Sequence, residues 1–212
     1  MHPPLARFMR ATRCARRALV VVAALAVLAP AIRPSAADAR VLDRLTTTTG
    51  RSLADCASDI PGIPNFAEIR PGVTRGGQPT KEGIRFLRDR GFRTVISFRS
   101  NPSEREVVLR SGMAYVEIPM RAGIFGAAPP AEEQVRQFLS VVTDSSKYPV
   151  FIHCRRGKDR TGVMSAIYRI EACGWATDEA IEEMRALGFS GHYRGLMRFV
   201  RGYARAVQAP VP

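Results

Sequence analysis

The decapeptide from residue 153 to residue 162 combines one nucleophilic side chain with several cations. It reads His153-Cys154-Arg155-Arg156-Gly157-Lys158-Asp159-Arg160-Thr161-Gly162, so five residues separate the cysteine from Arg160. A tight, glycine-containing loop of this length can turn successive backbone N–H groups inward as an anion-binding nest. Arg160 can then place two hydrogen bonds on a phosphate, and the same positive field favours a thiolate on Cys154. A thiolate beside a phosphate-sized anion site is what nucleophilic attack on a phosphomonoester requires.

The elements on either side place this loop between a strand and a helix. Val150–Ile152 is a short, wholly apolar run, typical of a central strand that is covered on both faces. Apolar residues recur at helical spacing directly after the loop, at Val163, Ala166, Ile167 and Ile170. Ligands of open α/β sheets bind at the carboxyl ends of strands, where helices begin.

Strand-like and helical patterns alternate along the rest of the chain from Asn65 onward. We predict strands at Phe66–Arg70, Val73–Arg75, Thr94–Phe98 and Ala114–Ile118. We predict helices at Lys81–Arg90, from Pro102 to about Gly112, around Val135–Val142, at Thr177–Leu187 and at Leu196–Val207. This alternation predicts one α/β domain with a central, mainly parallel sheet flanked by helices.

The loop resembles a known signature. His-Cys-x-x-Gly-x-x-Arg-Thr-Gly is similar to the signature loop of the cysteine-dependent protein-tyrosine and dual-specificity phosphatases. The segment from Asn65-Phe66 through Arg75-Gly76-Gly77-Gln78-Pro79, followed by Gly83 to Arg99, resembles the start of the atypical dual-specificity phosphatases of bacteria, fungi and plants. The resemblance covers roughly residues 65–190 and implies a dual-specificity phosphatase fold.

The resemblance implies a two-step mechanism through a phosphocysteine on Cys154. Arg160 and the loop amides hold the phosphate oxygens, and Thr161 donates its hydroxyl to the sulfur unless it serves only as a helix N-cap. His153 packs beneath the loop and orients it. The expected substrate-binding residues are Arg155, Arg156, Gly157, Lys158 and Gly162. We expect no metal and no cofactor, because the loop and Arg160 supply the positive field.

One part of the family pattern is missing. Many of these phosphatases carry an aspartate general acid on the loop before the helix that precedes the signature, but Pro119–Pro130 contains no acidic residue. General acid catalysis commonly contributes ~10²–10⁴-fold to the rate. Asp159 is our substitute candidate, and Glu132 and Glu133 are weaker ones. The alternative for Asp159 is an ion pair with a neighbouring arginine that shapes the loop.

The cations of the loop bear on the substrate. Lys158-Asp159-Arg160 resembles bacterial phosphatases that accept phosphoinositides as well as phosphotyrosine, and also fungal and plant relatives that act on inositol pyrophosphates. The expected partner is therefore a phosphorylated protein or a multiply phosphorylated small molecule, unless Arg155 and Arg156 only face solvent. The rival hypotheses are a rhodanese-like sulfurtransferase and a phosphate-binding module without catalysis.

The first 39 residues have the pattern of a signal peptide. Five arginines precede a charge-free apolar run from Ala18 to Ala29, which is too short to span a bilayer, and Ala37-Asp38-Ala39 supplies a cleavage pattern. We expect export, to a periplasm or to the medium, with an uncleaved membrane anchor as the alternative. Residues 40–64 are expected to form a linker and residues 65–208 the phosphatase domain.

Composition limits the remaining classes of function. The chain has 212 residues and a net charge of +13, of which residues 1–39 contribute +5. With 46% hydrophobic residues it is neither a largely disordered chain nor a multi-span membrane protein, and four cysteines are too few for a disulfide scaffold. Cys56 and Cys173 are structural or form a disulfide after export. No nucleic-acid-binding module is recognisable, so no nucleic-acid partner is expected.

Overall fold

A six-stranded sheet forms the centre of the computed structural model, which describes residues 58–123 and 126–208. The predicted signal peptide, the linker up to residue 57 and Cys56 lie outside these residues. The strands of this sheet are β1 Ser58–Ile60, β2 Ile63–Arg70, β3 Val73–Gly77, β4 Thr94–Ser97, β5 Ala114–Glu117 and β8 Val150–Cys154, while β6 Ala122–Gly123 and β7 Gly126–Ala127 form a separate hairpin. The six strands of the sheet lie in the order β1-β2-β3-β8-β4-β5.

The half of the sheet that carries the signature loop is parallel. Strand β8 lies between β3 and β4 and is parallel to both, and β4 is parallel to β5. The first two strands pair antiparallel, β1 with β2 and β2 with β3. The predicted α/β fold with a mainly parallel sheet is confirmed.

Helices cover both faces of the sheet. Their bounds are α1 Lys81–Asp89, α2 Arg105–Arg110, α3 Glu132–Val142, α4 Asp159–Cys173, α5 Thr177–Ala186 and α6 Arg194–Gln208, with a 3₁₀ turn at Ser145–Lys147. The side chain of Phe151 packs with residues of α1 and α2 on one face. Ile152 and Cys154 pack with residues of α3 to α6 on the other. Because alternate residues of β8 enter two separate cores, every residue of this strand is buried, as its apolar run predicted.

The sheet begins earlier than the sequence indicated. Residues 58–60 and 63–64 of the predicted linker already belong to β1 and β2, and Ile63 is fully buried. The Pro61-Gly62 pair, which indicated a loose lead-in, forms the tight turn between these strands, with Gly62 at a φ of +77°. A Cβ atom at Gly62 would lie 2.4 Å from the Thr80 hydroxyl, so this close turn requires glycine.

The segment before α3 is more regular than the sequence predicts. The predicted loop Pro119–Pro130 contains a short hairpin of β6 Ala122–Gly123 and β7 Gly126–Ala127. Within the described range, no helix is both long and apolar enough to cross a membrane.

Candidate active site

Strands β3 and β8 and helix α4 position the signature loop. Cys154 is the last residue of β8 and pairs in register with Gly77 of β3, and α4 begins at Asp159. The residues between them close the loop at the carboxyl end of the parallel strands, and Cys154 is only 3% exposed at its base. The sequence placed the loop at this junction of strand and helix, and the structure shows it there.

The loop rests directly on the backbone of β3. Gly157 has a φ of +71°, and a Cβ atom there would lie 2.4 Å from the carbonyl carbon of Gly76. The Gly157 carbonyl accepts hydrogen bonds from the Nδ2 of Asn65, at 3.0 Å, and from the Nη2 of Arg75. The backbone N–H of Gln78 donates to the Arg155 carbonyl at 3.2 Å. These carbonyls point down into the protein and are satisfied there.

The surroundings of Cys154 favour its thiolate. Burial acts to raise the pKa of the Cys154 thiol. Hydrogen bonds from the hydroxyl and the amide of Thr161 oppose burial, as do the charge of Arg160 and the amide of Arg156, and the pKa is lowered below its ordinary value. A lowered pKa increases the fraction of the nucleophilic form at neutral pH.

Thr161 is the third residue of α4 and is fully buried. Its hydroxyl has no oxygen or nitrogen partner among the described residues, which leaves it available to donate to the sulfur of Cys154. The helix N-cap is Lys158, so Thr161 does not have the capping role that was its alternative.

The guanidinium of Arg160 is held by backbone carbonyls from two neighbouring strand ends. Its Nη1 donates to the carbonyl of Phe98 at 3.0 Å and to that of Met120 at 3.2 Å. In the part of the chain that the structure describes, its other nitrogens form no hydrogen bond and no ion pair. These N–H groups are therefore available to a bound phosphate, in the fork geometry that arginine offers.

His153 lies beneath the loop, fully buried, in contact with a buried carboxylate. Its Nε2 is 3.2 Å from the Oε1 of Glu104, and its ring stacks on Phe151 at 5.7 Å between centroids. The hydroxyl of Tyr115 also donates to Glu104, at 2.7 Å. Burial acts to raise the pKa of Glu104, but the contact with His153 and the hydrogen bond from Tyr115 outweigh burial and lower the pKa to about 2. Glu104 is therefore ionised at neutral pH and orients His153.

Asp159 is joined to the loop that follows α5. Its Oδ1 accepts a hydrogen bond of 2.8 Å from the backbone N–H of Ser190, and no ion pair with an arginine occurs within the described residues. The weaker acid candidates lie elsewhere: Glu132 and Glu133 are exposed at the start of α3 and both pair with Arg136. The structure thus places Asp159, and not these two glutamates, in the signature loop.

The predicted substrate-binding residues separate into two groups. Arg155, Arg156 and Lys158 are exposed and form no ion pair with any described residue. Gly157 and Gly162 are buried. The amide of Gly162 donates to the Lys158 carbonyl at 3.0 Å, and a Cβ atom there would lie 2.9 Å from Met184. Gly162 therefore allows α4 to pack closely on α5, and its contact with substrate stays a prediction.

A family model covers most of this structure. Residues 63–200 match the model described as DSP-PTPase phosphatase fused to NAD+ kinase. The chain belongs to this family. The match agrees with the predicted resemblance to dual-specificity phosphatases and favours it over the rhodanese-like alternative.

Members and relatives of this phosphatase family differ in length. The chain is 30% identical over 112 residues to the probable NAD kinase 2, chloroplastic, of Oryza sativa subsp. japonica, covering 50% of this chain and 11% of that protein. It is 28% identical over 158 residues to the dual specificity protein phosphatase TpbA of Pseudomonas aeruginosa, covering 74% of this chain and 70% of TpbA. It is 32% identical over 112 residues to inositol diphosphatase DSP1 of Oryza sativa subsp. japonica, covering 50% and 49%. The chain thus spans about a tenth of the NAD kinase relative.

Solved structures share the fold. The crystal structure of P. aeruginosa TpbA matches with a TM-score of 0.58 and 24% identity, covering 72% of this chain and 95% of that one. The core catalytic domain of the PP-IP phosphatase SIW14 from S. cerevisiae matches with a TM-score of 0.58 and 23% identity, covering 67% and 87%.

Sequence reasoning assigned no role to several residues that support the phosphatase loop. They are Asn65, Arg75, Gln78 and Glu104. The sequence does carry a signal for a role of Arg75. Arg75 is a charged residue in a short, otherwise uncharged strand, and two glycines follow it. No comparable signal marks Glu104, because its contact with His153 joins residues that are far apart in sequence. Among the described residues, no cluster of His, Cys, Asp or Glu forms a metal site.

Proposed function

We propose that the protein is a cysteine-dependent phosphatase that hydrolyses phosphomonoesters. The observation that carries this proposal is the buried Cys154 with its lowered pKa, at the base of a loop that begins a helix and contains Arg160. Membership of the DSP-PTPase family supports it. A phosphate-binding module has no need of a thiolate, so the same observation favours catalysis over binding alone.

The proposed reaction has two steps. The Sγ of Cys154 forms a bond to phosphorus while the bond from phosphorus to the alcohol oxygen breaks, and the alcohol takes up a proton. Water then attacks the phosphocysteine, which releases inorganic phosphate and restores the thiolate. Arg160 and the loop amides stabilise the charge on the phosphate oxygens in both steps. The Thr161 hydroxyl stabilises the sulfur as it leaves.

The proposed substrate belongs to one of two classes. It is a protein that carries phosphotyrosine, phosphoserine or phosphothreonine, or it is a multiply phosphorylated small molecule such as an inositol phosphate. The relatives include a dual specificity protein phosphatase and inositol diphosphatases, which supports both classes. Arg155, Arg156 and Lys158 are exposed and form no ion pair with a described residue, and they favour substrates with more than one anionic group.

Hydrolysis of p-nitrophenyl phosphate tests the activity. We expect orthovanadate-sensitive turnover by the full chain, and loss of turnover to background in Cys154→Ser. Cys173→Ser, which alters a cysteine at the far end of α4, is the matched control and should keep the wild-type rate. A wild-type protein that binds phosphate but shows no turnover would establish the binding module instead.

We also propose that residues 1–39 direct export. The arginines, the apolar run and the small-x-small pattern described above support this proposal. Fractionation of cells that express the chain with a C-terminal tag should recover a shortened protein outside the cytoplasm. Deletion of residues 2–39 should retain it inside. Recovery of the full-length chain in the membrane fraction would replace cleavage by anchoring.

A further inference from the structure

A cavity rich in arginine lies between α5 and α6. Its volume is about 640 Å³, within the usual range for small-molecule sites. Its rim carries four arginines, and an aromatic ring and a thioether line it as well. The lining residues are Arg185, Phe189, Gly191, Arg194, Met197, Arg198, Arg201 and Gly202. No lining residue is acidic, so all the charged side chains of the cavity are positive.

The four arginines of this cavity have no acidic partner among the described residues, whereas several other exposed arginines do. Arg88, Arg105, Arg110 and Arg136 each pair with an aspartate or a glutamate. Within the described residues, none of the four cavity arginines forms an ion pair or a side-chain hydrogen bond. Three of them, Arg194, Arg198 and Arg201, recur at a spacing that puts them on one face of α6. Their charges are therefore not neutralised by this part of the chain.

The cavity adjoins the signature loop. Its residues Phe189 and Gly191 flank Ser190, whose N–H donates to Asp159 at 2.8 Å. A Cβ atom at Gly188 would lie 3.1 Å from the Cε of Lys158, so this lysine extends along the same loop. Residues 188 to 191 therefore connect the signature loop to the edge of the cavity.

We propose that this arginine cavity is a second phosphate-binding site, which holds another phosphate of a small substrate whose scissile phosphate lies in the signature loop. This inference rests on the proposed phosphatase function and narrows its substrate class to multiply phosphorylated small molecules. Guanidinium groups bind phosphate with paired hydrogen bonds. A concave site of this volume suits a small molecule, and Phe189 and Met197 in its lining offer apolar contacts to the part of such a ligand between its phosphates.

Inhibition of p-nitrophenyl phosphate hydrolysis tests this site. Inositol hexakisphosphate is the probe with several phosphates, and inorganic phosphate is the probe with one. In Arg194→Gln/Arg198→Gln we expect the inhibition constant of the hexakisphosphate to rise about tenfold, from the loss of two charged contacts. The inhibition constant of inorganic phosphate and the KM for p-nitrophenyl phosphate should not change. Arg88→Gln/Arg110→Gln, on the opposite face of the sheet, is the matched control.

The outcomes separate this inference from the proposed function. An unchanged hexakisphosphate constant, or an equal rise for both probes, overturns the second site while turnover remains. A loss seen only with an acidic phosphotyrosine peptide would assign the cavity to a protein partner instead. If the wild type shows no turnover, calorimetric titration of the chain with inositol hexakisphosphate still measures the site, and equal affinity in wild type and double variant overturns it.

An independent observation concerns the arginine beneath the loop. Arg75 is fully buried in β3, its Nη2 donates to the Gly157 carbonyl, and its Nε and Nη1 have no partner among the described residues. Burial lowers the pKa of its guanidinium to about 10, while the nearby Glu183 and Cys154 act to raise it. A buried cation of this kind is costly unless an anion faces it.

Two groups that carry negative charge when ionised act on the guanidinium of Arg75, first Glu183 and then Cys154. Arg169 forms an ion pair with Glu183, so that pair is neutral on its own. Cys154, two positions along β8 from Ile152, the register partner of Arg75, is the other anionic group that acts on this guanidinium. We infer that Arg75 is a positioning residue, which fixes the loop through Gly157 and adds a buried positive charge beneath the Cys154 thiolate.

The pH dependence of Cys154 alkylation tests this role. For Arg75→Met we expect the midpoint of iodoacetamide inactivation to rise by about one pH unit, because the thiolate loses a nearby cation. Arg75→Lys should restore part of the shift. Thr74→Val, at the neighbouring buried position of β3, should leave the midpoint unchanged. A folded Arg75→Met variant with the wild-type midpoint would reduce Arg75 to a packing role.

Discussion

At the scale of single residues, the two carboxylate oxygens of Asp159 have different surroundings. Oδ1 accepts a hydrogen bond from the backbone N–H of Ser190, whereas Oδ2 has no hydrogen-bond partner among the described residues. The first contact tethers the loop after α5, and the predicted acid role of Asp159 assigns the proton transfer to the second oxygen. Asparagine can retain the tether through its amide oxygen but cannot serve as a general acid.

We therefore predict that Asp159→Asn separates the two roles. Turnover of an alkyl phosphate, whose leaving group needs a proton, should fall by about 10²-fold or more. Turnover of p-nitrophenyl phosphate, whose leaving group is stable as an anion, should change little. The measurement is kcat for both substrates across acidic to neutral pH, with Glu132→Gln as the control. Equal effects on both substrates, or an unchanged pH profile, would remove Asp159 from the acid role.

At the scale of elements, the signature loop depends on a contact between two backbones. Gly157 lies against Gly76 and Gly77 of β3, and its positive φ also favours glycine. Gly174, which ends α4, has a similar φ of +69°, but a Cβ atom there would meet nothing within 4 Å. Both glycines therefore need a positive φ, but only Gly157 also has a backbone neighbour too close for a Cβ atom.

This pair gives a controlled prediction. Gly174→Ala should destabilise the fold by about 1 kcal/mol, the cost of a left-handed alanine, and leave kcat unchanged. Gly157→Ala should in addition push the loop away from β3 and lower kcat for p-nitrophenyl phosphate by about 10²-fold or more, as misplacement of catalytic groups does. Urea unfolding and steady-state kinetics measure the two effects. Equal activity of both variants would contradict the steric argument.

At the scale of the whole molecule, Glu104 joins three parts of the fold. It precedes α2, contacts His153 of β8 and accepts a hydrogen bond from the hydroxyl of Tyr115 in β5. Its pKa of about 2 lies below the ordinary 4.5, so the folded state favours the carboxylate. Glu104 therefore stabilises the fold above about pH 4.5, and this contribution is lost as the pH falls toward 2.

We predict that Glu104→Gln reduces the free energy of unfolding by about 3 kcal/mol at pH 7, an order-of-magnitude value from the pKa shift. The difference between wild type and variant should shrink as the pH falls from about 4.5 toward 2. Urea unfolding at pH 7, 4 and 3 provides the comparison, since other carboxylates titrate equally in both proteins. A difference that stays constant with pH would show that Glu104 contributes through packing alone.

The sequence predicted what is local and missed what is brought together by folding. The order of strand β8, signature loop and helix α4 follows from one continuous segment of apolar periodicity and glycine. By contrast, the Gly157 carbonyl is bound by Arg75, 82 residues away, and Asp159 by Ser190, 31 residues away. Ile63 was placed in a linker because proline and glycine surround it, although a tight turn between two strands requires the same residues. Its burial is decided by α1, which packs on it.

The contact of the loop with β3 also bears on how active members of the family are told apart from inactive ones in genome sequences. A Cβ atom at Gly77 would lie 3.2 Å from the backbone of Arg156, and one at Gly157 would meet Gly76. The catalytic cysteine and arginine therefore function only together with small residues some eighty positions earlier. A chain that keeps Cys-x5-Arg but carries bulky side chains in the strand equivalent to β3 should be classed as a pseudoenzyme, so the diagnostic pattern has two parts.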